Sequence, residues 1–189
     1  FKNSVEIINE DFLNMKFEKS DLKGVKIYGN LPYNVSSQIL IKLIKLYSEG
    51  YKFKYLILMF QKEVADRILS KEGSKKYSRI SVISQWLMNV ERICDVKSKS
   101  FFPSPKVESS ILLFKPKKNY FYLKNIKNLE HVTNVFFNLR RKMIKKPINI
   151  LFKNTDFITE KLNLDLSIRP EKVSPNLYYK ICNEYESLT

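Results

Sequence analysis

The chain has 189 residues, which is enough for one sizeable domain or for a domain with a small appendage. With 44% hydrophobic and 13% aromatic residues it can build a real core, which argues against global disorder. A formal net charge of +15 favours a polyanionic partner, with nucleic acid as the first candidate and an anionic membrane surface as the second. No apolar run reaches the length of a transmembrane helix, which excludes integral membrane classes built on such helices.

The cysteines indicate the cellular compartment of the protein, and the first residue indicates whether the sequence is a fragment. Cys94 and Cys182 are far apart and match no metal-binding or redox spacing, so we expect reduced, mostly buried thiols and a cytoplasmic protein. A metal site is not predicted. The chain begins at Phe1, directly before a predicted strand, so we expect it to be a fragment of a longer protein.

The first two thirds of the sequence alternate between strand-like and helix-like patterns, which predicts an open α/β sheet. The predicted strands cover residues 5–9, 25–28, 54–61, 90–97 and 108–114. The predicted helices cover residues 37–48, 61–69 and 80–88. Ser36 or Ser37 is expected to cap the first helix, the strand over 54–61 to be buried on both faces, and Trp86 to lie in the core.

A short turn joins the strand over 25–28 to the first helix. After a break at Gly29 it reads Asn30-Leu31-Pro32-Tyr33. An Asn side-chain oxygen and a backbone carbonyl held by proline can accept two hydrogen bonds from one exocyclic amino group, and the tyrosine offers a face for stacking. Because this turn lies at the carboxyl edge of the predicted sheet, it predicts a site for a nucleobase amine.

Two other segments contribute to the same edge. Asp11 follows the strand over 5–9, where a carboxylate either binds a nucleotide or caps its own loop. The segment 101–107, F-F-P-S-P-K-V, has two prolines that predict a rigid, extended connector. An aromatic residue on this connector can form the second wall of a base pocket, and a proline-stiffened turn with two buried phenylalanines is the alternative.

Beyond a polar, charged stretch at 115–127 the pattern is purely helical, so we place a domain boundary after residue 117 and a second domain at 118–189. Helices are predicted at 129–143, 156–162 and 175–188, and Arg169-Pro-Glu is interpreted as a structural turn. The first of these helices ends in a cluster of basic residues. The cluster has more positive charges than are needed to balance the helix dipole, which favours contacts to phosphate. The candidate phosphate-binding residues of this cluster are Arg140, Arg141, Lys142, Lys145 and Lys146.

A second basic segment at 71–79 is expected to be a solvated, mobile loop that either touches RNA or is plain surface. Its candidates are Lys75, Lys76 and Arg79, and Lys106 in the proline-rich connector is a further one. His131 has no nucleophile or metal set near it in sequence, so we assign it no catalytic role.

Six motifs in this order resemble the ribosomal RNA adenine dimethyltransferases: N-E-D-F-L, N-L-P-Y-N, Q-K-E-V-A, F-F-P-S-P-K-V, F-N-L-R-R-K and R-P-E. The resemblance covers nearly the whole chain and implies a Rossmann-like class I methyltransferase sheet followed by a small all-α domain. It implies dimethylation of an adenine N6 with S-adenosylmethionine as methyl donor. The family's glycine-rich loop has no counterpart among the four glycines, so the resemblance implies that this loop precedes Phe1 and that the fragment alone is inactive.

The resemblance also implies roles for individual residues. Asn30 and the carbonyl of Leu31 would hold the target amine, Pro32 would stiffen the turn, and Tyr33 and Phe101 would sandwich the base. Asp11, Phe12 and Asn30 would contact S-adenosylmethionine. Small-subunit ribosomal RNA is the expected partner of a monomer without membrane association. Three alternatives remain: a non-enzymatic RNA-binding assembly factor, a large-subunit, resistance-type methyltransferase, and a DNA adenine methyltransferase.

Overall fold

The computed structural model of the chain describes residues 5–103 and 105–188. The strands are β1 Lys26–Asn30, β2 Tyr55–Gln61, β3 Met88–Val96 and β4 Ser109–Pro116. The helices are α1 Ser36–Ser48, α2 Lys62–Leu69, α3 Arg79–Leu87, α4 Ile126–Asn138, α5 Lys145–Leu151, α6 Thr155–Leu162 and α7 Pro175–Leu188. Short 3-10 turns lie at Ser98–Ser100 and Pro170–Lys172. None of the helices described is long and apolar enough to cross a bilayer.

The strands form one mixed sheet in the order β1-β2-β4-β3. β1 and β2 are parallel, and β4 runs antiparallel to both of its neighbours, so β3 points in the same direction as β1 and β2. The carboxyl ends of β1, β2 and β3 therefore meet the amino end of β4 at one edge, where Ser109 pairs with Gln61 on one side and Val96 on the other. This mixed α/β arrangement agrees with the predicted class.

The core lies between the sheet and helices α1 and α3. In β2 the residues Leu56, Leu58 and Phe60 are fully buried, whereas the alternate residues are only half-buried, so the strand is buried on one face and not on two. Trp86 is buried as predicted, and its indole N–H donates to the carbonyl of Phe121 at 2.7 Å. Because α3 also packs against α4 and α7, the core continues from the sheet into the helical part.

Within the helical part, a buried carboxylate fixes the start of α4. Glu186 of α7 accepts hydrogen bonds from the backbone N–H groups of Lys124 at 2.8 Å and Asn125 at 2.9 Å, and from the side chain of Asn128 at 3.2 Å. Negative charge at a helix N-terminus is stabilising. This contact joins the first and last helices of that part.

The strand predicted over residues 5–9 is absent from the structure. These residues form neither helix nor strand, and Val5, Ile7 and Ile8 are exposed. A strand needs a neighbour for its backbone N–H and C=O groups, and none of the strands described pairs with this segment. The prediction at the start of α1 was also wrong: the N-cap residue is Val35, while the Ser36 hydroxyl donates to the carbonyl of Tyr33 at 3.1 Å.

The basic helix predicted over 129–143 ends earlier, at Asn138. Ile144 is fully buried and its N–H donates to the carbonyl of Ile168 at 2.8 Å, so the chain leaves the helix to reach this position. The lysines that follow open α5, a helix that the sequence pattern did not predict. Its Pro147 lies in the first turn, where a missing N–H breaks no helical hydrogen bond.

Two smaller expectations were also wrong. Cys94 is exposed on the sheet, whereas Cys182 is buried as expected. The basic segment at 71–78 is not a free loop, because Tyr77 is fully buried and the N–H of Gly73 donates to the carbonyl of Glu171 at 2.6 Å. The segment is therefore packed against the helical part.

Candidate functional site

The turn after β1 is shaped by close packing at Gly29, which lies inside the strand and does not break it. A Cβ atom at Gly29 would lie 2.8 Å from the Cδ2 atoms of both Leu31 and Leu58. Only glycine leaves room for the Leu31 side chain to fold back onto the sheet. The apolar side chain of Leu31 thus anchors the turn, while its backbone stays at the edge of the sheet.

Two hydrogen-bond acceptors in this turn are free. Asn30 is exposed, and neither its side-chain oxygen nor the carbonyl of Leu31 accepts a hydrogen bond from the residues described. Both groups keep their lone pairs for a ligand. Pro32, which follows directly, is exposed and fixes its own φ angle.

Tyr33 is held at both ends by serine hydroxyls. Its phenolic oxygen lies 2.7 Å from the hydroxyl of Ser109, which is fully buried at the start of β4, and its carbonyl accepts from Ser36. The ring itself is half-buried. Ser109 was not singled out from the sequence, because the pairing joins positions 76 residues apart.

Phe101 lies at the same edge of the sheet, directly after the 3-10 turn that follows β3. It is half-buried, whereas Phe102 is fully exposed, so the alternative of two buried phenylalanines does not hold. The peptide bond between Phe102 and Pro103 is cis, and Ser104 of the connector lies outside the described residues. The rings of Tyr33 and Phe101 contact no aromatic ring among the residues described, each other included.

An ion-pair cluster fixes the end of the connector. The Lys62 ammonium lies 2.5 Å from the Glu108 carboxylate and 3.5 Å from that of Asp95. A hydrogen bond from Ser110 at 2.6 Å, together with Arg92 and Lys62, holds the pKa of Asp95 below its ordinary value. The cluster joins β3, α2 and the residue before β4, so the connector is tied down where it enters the sheet. Periodicity in the sequence gave no signal for it.

Asp11 closes a tight turn over residues 11–15. One carboxylate oxygen accepts from the N–H of Leu13 at 2.9 Å, and the other accepts from the side chain of Asn14 at 3.2 Å. Asp11 therefore has the loop-capping role that the sequence left open. Its carboxylate is exposed and offers four lone-pair sites, of which these bonds use two, so it fits a further amino donor such as the adenine amine of S-adenosylmethionine. Phe12 is half-buried with its ring centroid 5.7 Å from that of Phe17.

A basic groove of about 920 Å³ lies where α4 gives way to α5. Five cationic side chains line it and have no ion pair or side-chain hydrogen bond with any described residue: Arg141, Lys142, Lys145, Lys146 and Arg169. Arg169 was interpreted from the sequence as part of a structural turn, and its carbonyl does accept a hydrogen bond from the N–H of Lys172 at 2.8 Å, while its side chain lines the groove. We call these five residues the basic groove.

The other cations predicted to bind RNA have different surroundings. The Arg140 guanidinium points inward and bonds the Glu171 carboxylate at 2.9 Å and the carbonyl of Lys75 at 2.5 Å. Lys76 pairs with Asp66 at 2.6 Å, and Arg79 donates to the side chain of Asn134 at 3.1 Å. The side chains of Lys75 and Lys106 lie on exposed residues. No cluster of three or more potential metal ligands occurs within the part of the chain described.

Comparisons with known proteins agree on one family. A model of the family described as ribosomal RNA adenine dimethylase matches residues 1–187. A ribosomal RNA small subunit methyltransferase A of Pelagibacter ubique is 46% identical over 188 residues, covering all of this chain and 72% of that protein. The protein of the same name from Ehrlichia canis is 39% identical, covering 97% of this chain and 69% of its own length.

Two solved structures share the architecture. A dimethyladenosine transferase from Plasmodium falciparum superimposes with a TM-score of 0.81 at 26% identity, covering 98% of this chain and 74% of its own. The 23S rRNA methyltransferase ErmE does so with a TM-score of 0.60 at 18% identity, covering 95% of this chain and 71% of its own, which shows the fold alone. The sheet with its helical carboxyl-terminal part is thus that of Rossmann-like methyltransferases.

Proposed function

Because this chain belongs to the ribosomal RNA adenine dimethylase family, we propose that it serves S-adenosylmethionine-dependent dimethylation of an adenine N6 in small-subunit ribosomal RNA, during ribosome biogenesis. The observation that carries this proposal is the turn after β1, where two free acceptors stand beside a tyrosine anchored to the sheet. We propose that it does this in the cytoplasm and as a monomer.

The two acceptors match the chemical difficulty of the reaction. The lone pair of an adenine amine is delocalised into the ring, so the nitrogen is a poor nucleophile. Hydrogen bonds from its two N–H groups to the Asn30 oxygen and the Leu31 carbonyl favour a pyramidal nitrogen whose lone pair points away from them. After the first methylation one N–H remains, so at most one of these bonds persists in the second round.

Stacking would hold the base in place. Tyr33 and Phe101 flank the position of the base, and each stacking contact with a base is worth about 1–3 kcal/mol. The hydrogen bond of its hydroxyl to Ser109 limits the movement of the Tyr33 ring. Adenine must leave its helical stack to enter such a slot, which suits a nucleotide flipped out of structured RNA.

S-adenosylmethionine, when bound, supplies the electrophilic methyl group. Asp11 would accept the amine of its adenine, Phe12 would pack against its ring, and Asn30 would border both ligands. For the RNA itself, the basic groove offers phosphate contacts, and the exposed Lys75 and Lys106 would add further ones.

The test compares Asn30→Ala with Asn89→Ala in the full-length gene product. Asn89 is an exposed asparagine at the opposite edge of the sheet. On unmethylated small ribosomal subunits, we expect Asn30→Ala to reduce methyl transfer by two orders of magnitude or more, with unchanged RNA affinity, and Asn89→Ala to behave like the wild type. Full activity of Asn30→Ala refutes the assignment. Binding of RNA without binding of S-adenosylmethionine by the wild type would instead identify a non-enzymatic assembly factor.

A further inference from the structure

The segment between residue 5 and β1 contains no helix or strand, and side-chain contacts hold its residues 12–17 to the folded part of the chain. One such contact is unusual. The ammonium of Lys42, on α1, donates to the carbonyl oxygens of Phe12 at 2.7 Å, Leu13 at 2.9 Å and Met15 at 2.6 Å. A lysine ammonium has three donors, and here all three are used on one turn.

The surroundings of this ammonium strengthen the contact. It lies 5.3 Å from the ring centroid of Phe12 and 5.6 Å from that of Phe17, within reach of a cation–π interaction with both. Burial lowers the pKa of Lys42, and the negative charge of Asp11 partly offsets this effect. Further along the segment the Tyr51 hydroxyl donates to the carbonyl of Phe17 at 2.9 Å. The side chains of Lys42 and Tyr51 thus both fasten residues 12–17 to the folded part of the chain.

The position of the lysine matters because of what it connects. The turn that it holds carries Asp11 and Phe12, and the helix on which it lies begins directly after the turn of Asn30 and Tyr33. One side chain therefore links the turn proposed to contact S-adenosylmethionine to the helix that follows the turn proposed to bind the target base.

We propose that Lys42 is a positioning residue for S-adenosylmethionine, which it serves without touching that molecule, by holding the turn of Asp11 and Phe12 against α1. This inference rests on the proposed function, since it concerns the same site. Hydrogen bonds to a charged donor are stronger than neutral ones, and three of them converge here.

The test uses Lys42→Met, which keeps the length and apolar stem of the side chain and removes the ammonium. In the full-length gene product we expect affinity for S-adenosylmethionine, measured by calorimetry, to fall about tenfold or more. The KM for the donor should rise in parallel, while kcat at saturating donor changes less than twofold and RNA affinity is unchanged. Hydrogen exchange should accelerate at the amides of residues 12–17 and stay unchanged in the centre of α1.

Lys45→Met is the matched control. Lys45 lies on the same helix, its ammonium pairs with the Glu49 carboxylate at 3.9 Å, and it forms no hydrogen bond with the described residues of the turn. It should bind S-adenosylmethionine and exchange hydrogen like the wild type. The double variant Asp11→Asn/Lys42→Met should lose less affinity than the two single variants lose together, because both changes act on the same turn.

The outcomes separate the two proposals. Unchanged exchange at residues 12–17, or unchanged donor affinity, in Lys42→Met overturns the role of Lys42 and leaves the proposed function intact. An equal loss of RNA and donor affinity also overturns it, because the lysine would then support the whole fold. If the wild type itself binds no S-adenosylmethionine, the proposed function fails and this inference fails with it.

Discussion

At the scale of single residues, the contact between Tyr33 and Ser109 holds in place the tyrosine that we propose to stack on the target base. The two hydroxyls lie 2.7 Å apart, and Ser109 is fully buried between the ends of β2 and β3. Tyr33 was predicted from the sequence to belong to the candidate site, because an aromatic side chain can stack on a base. The sequence could not identify Ser109, because a serine at the start of a strand carries no signal of what its hydroxyl touches across the fold.

Ser109→Ala is therefore expected to loosen Tyr33. Loss of one hydrogen bond of this kind is worth about 0.5–1.5 kcal/mol, so methyl transfer should fall between twofold and about tenfold, in kcat more than in the KM for RNA. Ser109→Thr, which keeps a hydroxyl at this position, should recover most of the loss. Steady-state assays on unmethylated subunits provide the measurement.

Tyr33→Phe removes the same bond from its other end, which makes a double-mutant cycle possible. If the only task of the phenolic oxygen is to bind Ser109, the two single variants should lose equal activity and the double variant no more than either. A larger loss in Tyr33→Phe would show that the hydroxyl also contacts the substrate.

At the scale of elements, the periodicity of apolar residues predicted helices and strands correctly where burial of those residues determines the structure. The strand around Leu58, the helix around Leu43 and the core position of Trp86 were predicted correctly. The errors lie where tertiary contacts override the local pattern. The segment 5–9 pairs with none of the strands described, and α4 ends at Asn138 because Ile144 is buried in the core.

The same reasoning applies to the candidate site. Its polar turn could be identified from residue types, since an Asn, a Pro and a Tyr have distinct chemical uses. The residues that hold it in place, Ser109, Lys62 and Lys42, could not, because each acts through contacts at least 27 residues away. Arg169 was missed for a related reason: its approach to the basic groove depends on how the last helices fold back.

Asp66 illustrates how one carboxylate joins three elements. It lies on α2 and pairs with Lys76 of the segment before α3 and with Arg92 of β3. Burial alone would raise its pKa, but the hydrogen bonds from the two cations outweigh this, so the pKa lies below the ordinary 3.8. Because the folded state lowers the pKa, the carboxylate stabilises the fold above the ordinary value, and this contribution is lost as the pH falls through the folded pKa.

Asp66→Asn should accordingly reduce the free energy of unfolding by about 1 kcal/mol at pH 7, a modest value because the side chain is partly exposed. The difference from the wild type should shrink as the pH falls below 3.8. Urea unfolding followed by circular dichroism at several pH values measures it. A difference that stays constant into strong acid would mean that the charge of Asp66 is unimportant and that its shape matters.

At the scale of the whole molecule, the excess of positive charge is unevenly distributed. Several cations are paired with carboxylates, among them Lys62, Arg67, Lys76, Arg92, Lys115, Arg140 and Lys161. The basic groove, in contrast, combines five cations that have no acidic partner within the described part of the chain. Unpaired cations concentrated on one surface attract phosphates and release their counterions on binding. Net charge alone could not have shown that Arg140 is paired with Glu171 whereas the adjacent Arg141 lines the basic groove.

These two adjacent arginines allow a test of that distinction. Arg141→Ala should weaken RNA binding at all sequences and reduce the dependence of log affinity on log salt by about one unit, with no change in Tm. Arg140→Ala should lower Tm, because it leaves the Glu171 carboxylate and the Lys75 carbonyl without their donor. Its salt dependence should match that of the wild type. Fluorescence anisotropy over a range of salt concentrations, combined with thermal unfolding, measures both. If Arg140→Ala reduces the salt dependence as Arg141→Ala does, the guanidinium of Arg140 must leave Glu171 to contact phosphate when RNA binds.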